Sequence, residues 1–163
     1  MRDTADIVIV GAGIMGLSVA HQISRRSGTR IVVIDKASNV GEGSTGASCA
    51  ILRQRYTYAE QVMVARDGLR AHADWAGYTG LAETRAQLHR SGVLWMMGEE
   101  RGGLEPVRDL MAGLGVGVEI IDGAEVQQRF PALNTCSMPF DLTGEVAHEC
   151  NEHDVFLYET GSG

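Results

Sequence analysis

With 163 residues, a formal charge of −7, 44% hydrophobic and 21% charged residues and only 3 prolines, the chain has a globular profile, which excludes the disordered and collagen-like classes. Net acidity argues against nucleic acid and anionic membrane as partners, because both reward clustered Lys and Arg. The length fits one ordinary domain and permits cofactor binding more readily than complete catalysis, which in many cofactor enzymes needs a second domain over the substrate. Three cysteines, Cys49, Cys136 and Cys150, without a CxxC pair indicate neither a disulfide framework nor a zinc knuckle, and a reducing cytoplasm is expected. The short apolar run near the N-terminus reads as a strand and not as a signal peptide, and no run of roughly 20 apolar residues offers a membrane span.

In chain order, residues 7–10 read as a strand, residue 11 opens a glycine turn, 14–26 read as a helix and 30–34 as a second strand, a βαβ unit. Ile14, Leu17, Ala20 and Ile23 form an apolar stripe expected to cover a sheet. Residues 37–48, rich in Gly, Ser and Thr, read as an extended loop. A helix is expected over 58–75 from Val62, Ala65, Leu69 and Ala73; residues 78–87 favour helix in their first part only. Strand follows over 89–97, helix over 106–114, strand over 116–121, a small helix over 123–130 stopped by Pro131, and a last strand over 154–159. The expected architecture is α/β: a doubly wound, mostly parallel sheet, its Rossmann-like segment over 1–80, with part of a second, substrate-side layer over 81–163.

The strongest chemical signal is Gly11-Ala12-Gly13-Ile14-Met15-Gly16. A bare G-x-G-x-x-G is also what a flexible turn looks like, but this one follows a strand, opens a helix and is answered by Asp35 at the end of the next strand. Gly11 allows the tight turn, Gly13 lets a pyrophosphate approach the backbone, and Gly16 lets helix pack on strand, with Ile14 and Met15 at the positive helix start. Asp35, followed by Lys36, suits ribose hydroxyls and disfavours a 2′-phosphate, which leaves FAD or NAD.

With this turn, Asp35 and GEGSTGASCAILRQRY over 41–56, the sequence resembles the D-amino-acid oxidase and sarcosine oxidase superfamily of FAD-dependent amine oxidoreductases, above all its sarcosine oxidase β-subunit and glycine oxidase-like branch. The resemblance implies that Gly43, Ser44, Thr45, Gly46, Ala47 and Ser48 wrap the ribityl and flavin end of FAD, which favours FAD over NAD. RSGVLWMMG and LMAGLGVGVEIIDGAEVQQRFPAL resemble later family segments, and FLYETGSG resembles the start of the family's E-x-x-[SG]-G-Y-x-D-P, which implies an N-terminal fragment of a longer enzyme. The implied activity is oxidation of an amine or amino acid (sarcosine, glycine or D-amino-acid type) by hydride transfer to flavin, followed by imine hydrolysis and reoxidation by oxygen or another acceptor. Arg53 is the position implied to hold a substrate carboxylate, for which a guanidinium fork is suited; the alternative is that Arg53 or Arg55 solvates a surface turn. The family's covalent flavin attachments are unmatched, so non-covalent FAD is expected. Two other readings stay open: a non-catalytic FAD-binding module or a piece of an oxidase with a partner subunit, and an NAD-dependent dehydrogenase domain.

The remaining candidates have simpler explanations. Cys49 is expected as small buried filler, and Trp95, Met96 and Met97 as core strand residues. His21 reads as a packed or surface histidine, and Glu99, Glu100 and Glu105 as a solvated face with helix-start charges. His148, Cys150 and His153 have metal-ligand chemistry but no known ligand spacing, and no metal is expected.

Overall fold

The computed structural model describes residues 4–83, 86–98, 100–136, 142–147 and 155–163, and the chain divides into two compact units, Met1–Ile51 and Leu52–Gly163. The division falls well before residue 80, the boundary expected from sequence. The helix over Ala59–Ala73 (α2) contributes Val62 to the core of the second unit, which draws the residues before 80 into that unit.

In the first unit, strand β1 (Ile7–Val10) pairs parallel with β2 (Ile31–Ile34), Ile7 opposite Ile31 and Val10 opposite Ile34. Helix α1 (Ile14–Ser24) makes the crossover that a parallel pair requires. Both strands alternate, Ile7, Ile9, Ile31 and Val33 half-buried and Val8, Val10, Val32 and Ile34 exposed, as the two-residue period of a strand dictates. The apolar stripe of α1 is only partly covered, with Ile14 47% and Leu17 37% exposed. The two-strand sheet is too narrow to bury the whole stripe. Residues 40–47 wind through successive turns and not an extended loop, with the Ala47 amide donating to the Gly43 carbonyl at 3.2 Å. Here small residues let the chain double back. Cys49 is exposed rather than buried filler, since these turns pack little against the unit.

The second unit is built on a three-stranded antiparallel sheet, in the order β3 (Val93–Trp95), β5 (Val155–Glu159), β4 (Val118–Asp122). The mostly parallel sheet expected from sequence therefore ends with the first unit. Since β3 and β4 both run antiparallel to β5, they are parallel to each other, joined through helix α4 (Arg101–Gly113). The strand–helix–strand pattern thus has the direction read from the sequence, but β5 is inserted between its two strands and removes the parallel ladder.

Alternation along β5 divides the core. Leu157 faces Val62 of α2, Leu104 and Met111 of α4, and Val116, with Trp95, Val118 and Ile120 packed around them. Phe156 faces the other way, against Ile121, against Val126 of helix α5 (Gly123–Arg129), and with Phe130 and Tyr158 beside them.

Local signals set the helix ends. Helix α4 stops in a Schellman motif: Gly115 at φ +78° donates to the Ala112 carbonyl and Val116 to that of Met111, while Val116 and Met111 share the core. Arg66 of α2 donates to the Leu114 carbonyl at 2.8 Å and ties the two helices together. Asp122 caps α5 by accepting from the Glu125 amide at 2.8 Å, the D-x-x-E arrangement of a capping box. Helix α4 also starts at Arg101, five residues before the expected start at Pro106, so that Pro106 lies inside the helix. A short helix, α3 (Trp75–Thr79), covers the first residues of the 78–87 segment, whose first part was expected to be helical. Among the described residues, no helix is long and apolar enough to cross a membrane.

Candidate functional site

The glycine turn sits between the end of β1 and the start of α1, and three features fix its shape. Gly11 takes φ +110°, a conformation that a side chain disfavours, and donates to the Ile34 carbonyl at 2.7 Å. At Gly16 a Cβ would lie 1.9 Å from the Gly11 carbonyl oxygen and 3.3 Å from Ile9 Cγ2, so only glycine allows the first turn of α1 to lie this close to the turn and β1. A Cβ on Gly13 would meet the Thr45 hydroxyl at 2.9 Å.

Asp35 stands just beyond β2. Its Oδ2 accepts from the Ala12 amide at 2.6 Å and its Oδ1 from the Ala37 amide at 2.9 Å. These backbone donors, Ala12 first and Ala37 second, hold the carboxyl below its ordinary value; partial desolvation opposes them, and Lys36 adds a smaller effect in their favour. The acid thus ties the glycine turn to the end of the second strand. Each carboxylate oxygen accepts more than one hydrogen bond, which leaves capacity for ribose hydroxyls. Thr45 Oγ1 accepts from the Ile14 amide at 3.0 Å, supplying a partner that Gly13 at the N-cap cannot, and the Gly41 amide donates to the Ala12 carbonyl at 3.0 Å.

The first unit therefore brings Gly11, Gly13, Ile14, Gly16, Asp35 and Thr45 into one hydrogen-bonded or close-packed cluster. Met15 lies exposed on the first turn of the helix and Lys36 exposed beside the acid, while Gly43, Ser44, Gly46, Ala47 and Ser48 lie exposed in the turns that carry Thr45. A close-approach glycine turn, a positive helix end and an acid at the strand terminus are the donor and acceptor set that a dinucleotide takes, and FAD fits it.

In the second unit, Arg53, Arg55, Tyr56, Gln61, Trp95, Met97, Pro106, Val107 and Leu110 are among the residues lining a pocket of about 530 Å³. The Arg53 guanidinium lies 5.0 Å from the centre of the Tyr56 ring and 5.3 Å from that of Trp95, with Arg55 5.2 Å from Trp95, all within cation–π range. Among the described residues, no carboxylate pairs with the Arg53 guanidinium. Trp95 packs partly on the core, as expected, but it is also pocket wall and arginine platform, and Met97 is 65% exposed and not a core residue.

Sequence reading missed Glu159. It is fully buried and accepts from the amides of Gln54 at 2.8 Å and Arg55 at 2.9 Å, from Trp95 Nε1 at 2.8 Å and from the Ser162 hydroxyl at 2.5 Å. Two signals were available: Glu159 opens the stretch that resembles E-x-x-[SG]-G, and its position two residues beyond Leu157 puts an acid on the core-facing side of an apolar strand. His148, Cys150 and His153 lie outside the described residues, as does Glu99; Glu100 is the exposed N-cap residue of α4.

Comparison with known proteins gives the family. The chain is 26% identical over 141 residues to a Xenopus laevis protein called FAD-dependent oxidoreductase domain-containing protein 1, covering 82% of this chain and 28% of that one. It is 26% identical over 130 residues to the peroxisomal sarcosine oxidase of Mus musculus, covering 79% of this chain and 32% of that one. Among solved structures, the L-amino acid deaminase from Proteus vulgaris shares the fold with a TM-score of 0.68 at 20% identity, over 99% of this chain and 34% of that one. The chain therefore spans about a third or less of the length of these proteins. The family model DAO, FAD dependent oxidoreductase, matches residues 6–151, and the chain belongs to this family, whose cofactor is FAD.

Proposed function

We propose that this chain carries the FAD-holding and carboxylate-recognising part of an oxidoreductase acting on CH–NH or CH–NH2 donors, a secondary or primary amine of the sarcosine, glycine or D-amino-acid type. The observation that carries the substrate class is Arg53, whose guanidinium lies against Tyr56 and Trp95 in a pocket where no described carboxylate pairs with it. FAD, bound without a covalent link, would supply the two-electron acceptor for the C–H bond next to nitrogen.

The residues of this chain have separate tasks in that reading. Gly11, Gly13 and Gly16 keep the backbone low enough for the pyrophosphate, the start of α1 at Ile14 and Met15 meets its charge, and Asp35 with Lys36 beside it receives the ribose hydroxyls. The turns at Gly43, Ser44, Thr45, Gly46, Ala47 and Ser48 form a wall along the ribityl chain. Arg53 offers two parallel charged hydrogen bonds to the substrate carboxylate, and Val107 and Leu110 give the pocket an apolar wall. The substrate named for the mouse relative, sarcosine, supports this substrate class.

Anaerobic mixing of the FAD-loaded protein with sarcosine, glycine and D-alanine tests the reading. Bleaching of the flavin absorbance by at least one of them, with roughly tenfold more substrate needed by Arg53→Ala, is the expected result. A stable flavin spectrum in all three, or an Arg53→Ala titration identical to the parent, would overturn it.

A further inference from the structure

We infer that Glu159 is the positioning residue of the Arg53 pocket: one buried carboxylate fixes both the backbone that carries Arg53 and the aromatic ring on which its guanidinium lies. The inference rests on Arg53 being the carboxylate-binding group.

Both halves of the claim follow from the hydrogen bonds. Arg53 stands between two pinned residues. Before it, Leu52 exchanges hydrogen bonds with Gly163, its amide donating at 2.6 Å and its carbonyl accepting at 3.2 Å. After it, the consecutive amides of Gln54 and Arg55 both donate to Glu159. The carboxylate receives them on different oxygens, Oε2 from Gln54 and Oε1 from Arg55, which sets the direction of the chain on leaving Arg53.

The platform is held by the same group. Trp95 pairs with Leu157 across the β3–β5 ladder, which makes Glu159 its diagonal neighbour on the same face, and the indole Nε1–H donates to Oε1 at 2.8 Å. The rotation of the ring is thereby fixed, and with it the surface that meets the guanidiniums of Arg53 and Arg55.

Among the described residues, four donors share the carboxylate. Glu159 is buried at the centre of the sheet, opposite Val93 on one strand and Val118 on the other, and its four acceptor sites are taken by four donors, the last being Ser162, which also accepts from Gln54 Nε2 at 3.0 Å. A buried acid this fully engaged is expensive to desolvate, and a well-packed apolar residue would fill a sheet centre at lower cost. Three of its four bonds go to the segment and ring that present Arg53, and the fourth, to Ser162, leads back to that segment through Gln54.

The test uses benzoate as a carboxylate probe and benzamide as its neutral counterpart, with binding followed by ¹H–¹⁵N NMR. Glu159→Gln replaces one acceptor oxygen by a donor group facing donors. The folded variant is expected to shift the Trp95 indole N–H upfield, to bind benzoate roughly two- to tenfold more weakly because Arg53 must then be ordered on binding, and to leave benzamide unchanged. In an Arg53→Ala background the same substitution is expected to cause no further loss. Parent-like benzoate binding by Glu159→Gln, or an equal loss with Arg53 already removed, would overturn the inference. If Glu159→Gln does not fold, Glu159→Asp, which keeps the charge and retracts it by one methylene, is read by the same two criteria. Should Arg53→Ala leave benzoate binding intact, the carboxylate reading alone falls. The positioning claim is then decided by the Arg53 Nε–H resonance, ordered in the parent and mobile in Glu159→Gln if it holds, and equally ordered in both if it does not.

Discussion

Gly16 of α1 and Gly68 of α2 both lie inside helices, and replacing each by alanine is expected to have opposite effects. In α1, the methyl of Gly16→Ala would sit 1.9 Å from the Gly11 carbonyl oxygen and 3.3 Å from Ile9 Cγ2. Overpacking costs about 1–3 kcal/mol, and here the upper end applies because the obstacle is backbone that no rotamer change can move aside. Alanine's better helix propensity returns about 1 kcal/mol. The net is about 2 kcal/mol against the close approach of turn and helix, which corresponds to roughly 30-fold weaker FAD binding if the cofactor requires that approach. In α2, a Cβ on Gly68 meets nothing within 4 Å, so Gly68→Ala should stabilise the protein by about 0.5–1 kcal/mol and leave FAD affinity alone. Urea unfolding and quenching of flavin fluorescence read the two quantities separately. A Gly16→Ala protein with parent stability and parent FAD affinity would refute the reasoning.

The core and the acid clamp give two further expectations. Leu157 is fully buried on the central strand, so Leu157→Ala should cost about 2–5 kcal/mol in urea unfolding, and a loss below 1 kcal/mol would mean that the two helices do not close over the sheet as described. Asp35 has its folded value lowered from 3.8 by the Ala12 and Ala37 amides, so the stability it contributes is fully present above that ordinary value and is lost as pH falls through the lowered one. The Ala12 and Ala37 amide resonances should titrate together with a midpoint below 3.8, and Asp35→Asn should abolish the transition.

What could be read from the sequence depended on how local each signal was. The strand, glycine turn, helix, strand and acid of the first unit lie within 35 residues, and each element is specified by its own residues; the described structure places β1, α1 and β2 within two residues of their expected ends. Helix α4 was misjudged because Pro106 was taken as a helix start, whereas the helix already begins at Arg101 and carries Pro106 as its sixth residue, a position that proline's missing N–H disfavours and that the packing of Leu104 and Met111 on the sheet outweighs. The sheet of the second unit was misread because strand order is not a local property: the insertion of β5 between β3 and β4 is set by pairing over dozens of residues, and alternation alone does not reveal it. Arg53 was reachable only through the resemblance, and Glu159, although it opens the stretch that resembles E-x-x-[SG]-G, was passed over because nothing near it in sequence identifies its partners. Its importance comes from the amides of Gln54 and Arg55, more than 100 residues away along the chain.

The most direct measurement is the absorbance spectrum of the purified protein during titration with FAD, repeated with Asp35→Ala and with NAD as competitor. Binding of FAD that Asp35→Ala weakens and NAD does not displace is the result predicted for the glycine turn and its acid. A folded protein that takes up no flavin, or one that binds it equally well without Asp35, would contradict the assignment of this cluster as the FAD site.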